Sequence, residues 1–172
     1  MLAYLFLALA VFFRFVPHFW NFTLVGAALL FFGANRPRRE LWIAVATLGA
    51  SDIILTRFVN GFPLTLETFA SSLYYLLALL IGGWLRGKVE IPRVIGPSLA
   101  GSIVFFLLSN FATWVSYDMY PHTAAGLATC YAMGIPFFRN TLASDFVFSL
   151  VMFGTPMLIE AVHRRRSLVA VR

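Results

Sequence analysis

Hydrophobic residues along the chain gather into six runs, covering residues 1–16, 22–34, 41–55, 69–85, 94–115 and 142–162. Turn-forming and charged stretches separate them. Pro17 ends the first run, Asn35-Arg36-Pro37-Arg38-Arg39-Glu40 follows the second, and Gly61 and Pro63 follow the third. A basic stretch, residues 86–93, divides the fourth run from the fifth. At roughly 20 residues per crossing plus connections, a chain of this length holds about six membrane spans in one domain. The pattern therefore predicts an all-α membrane protein, a six-transmembrane-helix bundle forming a single domain over residues 1–172. The first run would be about 24 Å long at ~1.5 Å per residue. We expect it to be retained as the first helix, since it lacks the basic start and small-residue cleavage site of a secretory signal.

Composition sharpens this. The chain is 60% hydrophobic and 12% charged, with a mean hydropathy of +0.85, whereas soluble domains are about half apolar and about a quarter charged. A cytosolic globular enzyme and a disordered chain are both excluded. One cysteine excludes a disulfide framework and any multi-cysteine metal or iron–sulfur centre.

The net charge of +6 raises the question of nucleic acid, but the basic residues follow topology instead. Arg36, Arg38, Arg39, Arg86, Lys88, Arg93, Arg164, Arg165, Arg166 and Arg172 fall on one side of a six-span bundle. Arg14, Arg57 and Arg139 fall on the other. Because basic loops stay cytoplasmic, both termini are expected inside, in the bacterial cytoplasmic (inner) membrane, with the lipid bilayer and not nucleic acid as partner. Small residues such as Gly26, Ala27, Gly33, Ser98, Gly101 and Ser102 predict close helix approach. There is no convincing internal repeat.

Strongly polar residues concentrate in the non-cytoplasmic half of the spans. Arg14 lies near the outer end of the first, and Asp52 with Ser51 lies well inside the third. Ser71 and Tyr75 share a face of the fourth. Asn110, Thr113, Trp114 and Tyr117 share a face of the fifth, and Thr141, Asp145 and Ser149 a face of the sixth. A charge at the centre of a span costs about 2.5–3.5 kcal/mol on insertion scales, so such residues turn inward and find partners. Arg14 and Arg139 have the depth to pair with Asp52 and Asp145. Two readings follow, and they are compatible: an ion-pair cluster pinning helices together, and a polar pocket open to the outside.

The outer connections are long and aromatic, and the inner ones short and basic. Residues 14–23 form the first outer connection. In the last, residues 116–141, Thr123 can cap a short extra helix over 124–133, which Gly134 and Pro136 would end. His18 and His122 both fall on this side. Each is read as a hydrogen-bonding loop residue or as a ligand to a metal, pigment or haem, without a spacing that specifies a site. Cys130 is read as a small buried hydrophobe. Neither cofactor nor metal is expected.

No catalytic constellation emerges: G-x-S-x-G, H-E-x-x-H and the Walker A loop are all missing from the sequence. The chain carries no ATP site of its own. Paired intramembrane aspartates could serve an aspartic protease, but residues 50–53 and 143–146 do not support that. We expect no enzyme.

Residues 14–23 with Gly26-Ala27, Ser51-Asp52, the stretch 101–106 with Asn110-Phe111 and Trp114, and residues 120–123, 126–127, 130–131 and 135–141 together resemble an uncharacterised family of small six-span bacterial membrane proteins. The likeness covers most of the chain. Members often carry prolines after the histidine, where this chain has Phe19-Trp20. The family's six-span plan is in turn similar to the substrate-binding (S) components of energy-coupling-factor transporters, a fold-level analogy. That resemblance implies an outward-facing pocket covered by outer loops, and a separate ATPase module that energises uptake.

The expected function is therefore binding of a small polar molecule for uptake. The candidate ligand-binding residues are Arg14, His18, Asn21, Asp52, Asn110, Trp114, Tyr120, His122, Tyr131, Arg139, Asn140 and Asp145. The rival expectation is a non-catalytic accessory subunit of a larger respiratory or photosynthetic membrane complex, its aromatic residues (17% of the chain) serving lipid, pigment and subunit contacts.

Overall fold

A computed structural model of the chain describes residues 1–17, 21–87 and 90–170, with side chains to His163. All regular structure among them is helical: α1 (Leu2–Phe13), α2 (Val25–Asn35), α3 (Leu41–Ile53), α4 (Leu66–Gly83), α5 (Ile91–Ser116) and α6 (Ala124–Ala170). A 3₁₀ turn, Arg38–Glu40, leads into α3, and a π-helical turn, Ile54–Val59, widens its far end.

Four stretches are long and apolar enough to cross a membrane: Arg38–Val59, Leu66–Gly83, Ile91–Ser116 and Ala124–His163. The six apolar runs thus become six helices of unequal reach. α1 and α2 have 12 and 11 residues, roughly 17–18 Å each at 1.5 Å per residue, against a hydrocarbon core of about 30 Å. α1 stops because Arg14 turns its side chain toward α3 and Pro17 cannot continue the helix.

The short α2 is the axis of the molecule. Every residue from Val25 to Ala34 is buried, and α1, α3, α4, α5 and α6 surround it. Glycines set the α2–α4 crossing. A Cβ on Gly33 would strike the Leu79 backbone, and one on Gly82 would strike the Leu30 backbone. The two helices therefore touch main chain to main chain, which favours association where lipid supplies no hydrophobic drive. Phe31 adds edge-to-face contacts with Phe6 and Phe153, at centroid separations of 5.0 and 5.1 Å.

Arg86 closes this end of the bundle. It donates to the carbonyl of Gly33 at 2.9 Å and to that of Arg36 at 2.6 Å. A cation thus satisfies the carbonyls that the C-terminus of α2 leaves open. Glu40 accepts from Tyr4 at 2.7 Å and from Arg36, whose guanidinium lies over the Tyr4 ring. Arg38 and Arg39 remain exposed.

One expectation is corrected. Gly134 and Pro136 do not end a short helix: α6 runs unbroken through both for 47 residues. Thr123 does cap its start, accepting from the Gly126 amide at 3.2 Å. Pro136 costs one intrahelical bond, but packing on α5 continues on either side of it. The Tyr131 hydroxyl donates to the Leu107 carbonyl at 2.9 Å, and Phe138 meets Phe106 at 4.9 Å between centroids. Neighbouring helices make proline tolerable in an apolar bundle. Gly134 is retained for packing, since a Cβ there would collide with the Asn110 side chain.

Candidate functional site

Because α1 and α2 are short, the end of the bundle opposite Arg86 is not filled by helix. Polar groups of α3, α4 and α6, with Phe105 of α5, surround the space left above the N-terminus of α2. It is a cavity of about 280 Å³ whose lining includes Arg14, Asn21, Gly26, Asp52, Tyr74 and Asp145. Hollows of about 420 Å³ and about 320 Å³ adjoin it. The first shares Asn21, Phe105 and Thr141 with it, and the second shares Asp52 and Ser71.

One wall is a closed polar triangle. Arg14, at the end of α1, makes an ion pair with Asp52 of α3 and donates to the Tyr75 hydroxyl of α4 at 2.9 Å. Tyr75 in turn donates to Asp52 Oδ2 at 2.7 Å. Three helices are tied by side chains that are buried or half-buried, where an unpaired charge is costly. The π-helical turn begins two residues after Asp52 and carries the chain toward the second hollow through Thr56 and Phe62.

The opposite wall is built differently. Thr141, Asp145 and Ser149 of α6 face Ser98 and Ser102 of α5, and all five are buried. Ser102 donates to Asp145 Oδ2 at 2.6 Å, while Ser98 and Ser149 lie 3.4 Å apart. Asp145 is paired with a hydroxyl and not, as its depth suggested, with Arg139. The Arg139 side chain points away and is exposed.

The structure divides the sequence-derived residues into groups. Arg14, Asn21, Asp52 and Asp145 line the central cavity. Asn21 adopts a left-handed backbone with φ of 55°, a conformation asparagine tolerates better than most residues. Asn110 and Tyr120 line the larger adjoining hollow with Cys130. Asn110 also donates to the Phe106 carbonyl at 2.8 Å.

Trp114 and His122 brace the turn between α5 and α6. The Trp114 indole donates to the Pro121 carbonyl at 2.9 Å, and His122 Nε2 lies 2.8 Å from the Trp114 carbonyl. Their rings meet edge to face at 5.3 Å. Tyr131 straps α6 to α5. Arg139 and Asn140 lie on the exposed side of α6. His18 lies outside the described residues. Among the described residues, no three His, Cys, Asp or Glu side chains converge as a metal ion would require.

Several lining residues are not among the sequence-derived ligand contacts: Tyr74, Tyr75, Phe105, Thr141 and Glu67. A usable signal existed in the spacing of Ser71, Tyr74 and Tyr75, which places them on one face of α4. The facing i, i+4 ladders Ser98/Ser102 and Thr141/Asp145/Ser149 were a second.

The arrangement is that of an all-helical membrane-type bundle with a polar cavity at one end. A family model described as a family of unknown function (DUF6580) matches residues 1–168, and the chain belongs to that family. No curated protein and no solved structure matches it.

Proposed function

We propose that this protein is an integral membrane binding protein that takes up a small polar molecule from the outer side. The observation that carries this is the cavity of about 280 Å³ lined by two buried carboxylates, Asp52 and Asp145. Ionisable groups this deep are expensive, and a polar, concave, partly apolar site is the usual reason to keep them. The basic residues around Arg36, Arg86 and Arg93, opposite the cavity, support a six-span plan with both termini cytoplasmic and the cavity facing outward. In this reading the host membrane is the bacterial inner membrane. The plan resembles that of S components, and a separate ATPase module supplies the energy.

Native mass spectrometry of the full chain, purified in mild detergent, tests the reading. A retained small molecule that disappears in Asp145→Ala, while the variant still inserts and stays monodisperse, is the expected result. An empty cavity together with obligate co-purification of electron-transfer subunits would replace it with the accessory-subunit reading.

A further inference from the structure

Charge around the cavity does not balance. Arg14 is taken up by Asp52 and Tyr75. Asp145, only 3% exposed, accepts one hydrogen bond among the described residues, from Ser102 to Oδ2. Its other oxygen, Oδ1, sits beside Gly26, and the Tyr74 hydroxyl converges on the same point. Tyr74 is 4% exposed, lines the cavity, and makes no hydrogen bond among the described residues. A Cβ at Gly26 would collide with both groups, so the glycine is what lets them approach one another. No basic side chain other than Arg14 lines the cavity or the adjoining hollows among the described residues, whereas Glu67 adds a third carboxylate.

We propose that the guest is a small organic cation, an ammonium that donates to Asp145 Oδ1 and to the Tyr74 hydroxyl oxygen. Its carbon body lies against Phe105 and the tyrosine rings. The inference rests on the cavity being a binding site and adds the chemical class of what it takes. A carboxylate away from water needs both a counter-charge and donors, and an ammonium brings one positive charge and several N–H groups to a single point. Phe105 and Tyr74 pack with centroids 5.0 Å apart, and aromatic faces attract a desolvated cation. An anion would meet Asp145 at close range with Arg14 already engaged. A neutral guest would leave the carboxylate without its counter-charge.

The experiment uses the full chain in detergent micelles, with empty micelles as the blank, and three matched probe series read by titration calorimetry. The series are butylammonium and 2-phenylethylammonium, butanol and 2-phenylethanol, and pentanoate and 3-phenylpropanoate. The ammonium probes are expected to bind at least about tenfold more tightly than their counterparts, a factor that about 1.4 kcal/mol supplies. Asp145→Asn should abolish that preference, and Tyr74→Phe should weaken ammonium binding several-fold while leaving the alcohols unchanged. If Asp145→Asn does not fold, Tyr74→Phe alone decides.

Equal binding of all three series, or tighter binding of the carboxylates, overturns the cation assignment and leaves the binding reading standing. So does an absence of probe binding when native mass spectrometry finds a retained anionic or neutral molecule. No probe bound and no retained molecule would overturn both.

Discussion

Asp52 and Asp145 line the same cavity and are almost equally sealed, at 7% and 3% exposed. Their surroundings differ. Asp52 sits in a closed triangle with a guanidinium and a phenol, and its charge is answered within the protein. Among the described residues Asp145 has one serine. Burial alone does not tell a structural carboxylate from a functional one; the number and charge of its partners does. A group whose partners are complete ties helices together, and a group left with an open oxygen on a cavity is available to a guest.

The comparison can be broken most sharply at Arg14. Arg14→Ala would strand Asp52 as an unpaired buried charge, and losses of about 3–5 kcal/mol are typical of that. Unfolding in a mixed-micelle denaturant titration should show it, together with loss of monodispersity. Restoring apolar packing with the double substitution Arg14→Met, Asp52→Leu should recover most of the loss. Failure to recover would mean that the triangle does more than tie helices.

Tyr75→Phe removes one donor to the same carboxylate and should cost about 1.5–3 kcal/mol, the range for hydrogen bonds to charged groups. Across the cavity, Ser102→Ala removes the one donor to Asp145 among the described residues. It should cost less, about 1 kcal/mol in the same titration, because the open oxygen already faces a cavity that can admit water.

The smallest effect is expected from Asp145→Asn. Stability should change by under about 1 kcal/mol in either direction, since Ser102 can still donate to the amide oxygen. Equal losses at Arg14 and Asp145 would erase the distinction between the two walls.

The sequence carried the architecture further than the site. Apolar runs become separate helices where residues that cannot continue a helix bound them, such as Pro17 and Asn35-Arg36-Pro37. Segment ends failed where tertiary packing overrode local punctuation. Pro136 and Gly134 read as a stop, yet α5 holds the helix together across them. α1 ends three residues short of its apolar run, and apolar composition signals burial without saying whether lipid or protein does the burying. Around α2 it is protein throughout.

Within the site, depth correctly brought Arg14 to Asp52. It could not give the rotation of α6, which turns Arg139 outward and Asp145 inward. That rotation follows from the serine ladder against α5, a weak periodic signal next to a formal charge. His122 takes the loop hydrogen-bonding role that is one of its two sequence readings, while Trp114 and Tyr131 are ligand candidates because they are aromatic, able to donate and at the right end. Each spends its hydrogen bond on a backbone carbonyl.

The buried α2 has a further consequence. Below Gly26 the chain is solid: Ala27 to Ala34 are sealed, Gly33 and Gly82 press backbones together, and Arg86 plugs the far end. Among the described residues, the cavity beside Asn21 ends on this sealed stretch of α2. The main-chain contacts of α2 with α4 oppose any parting of these two helices, since no side chain there can yield.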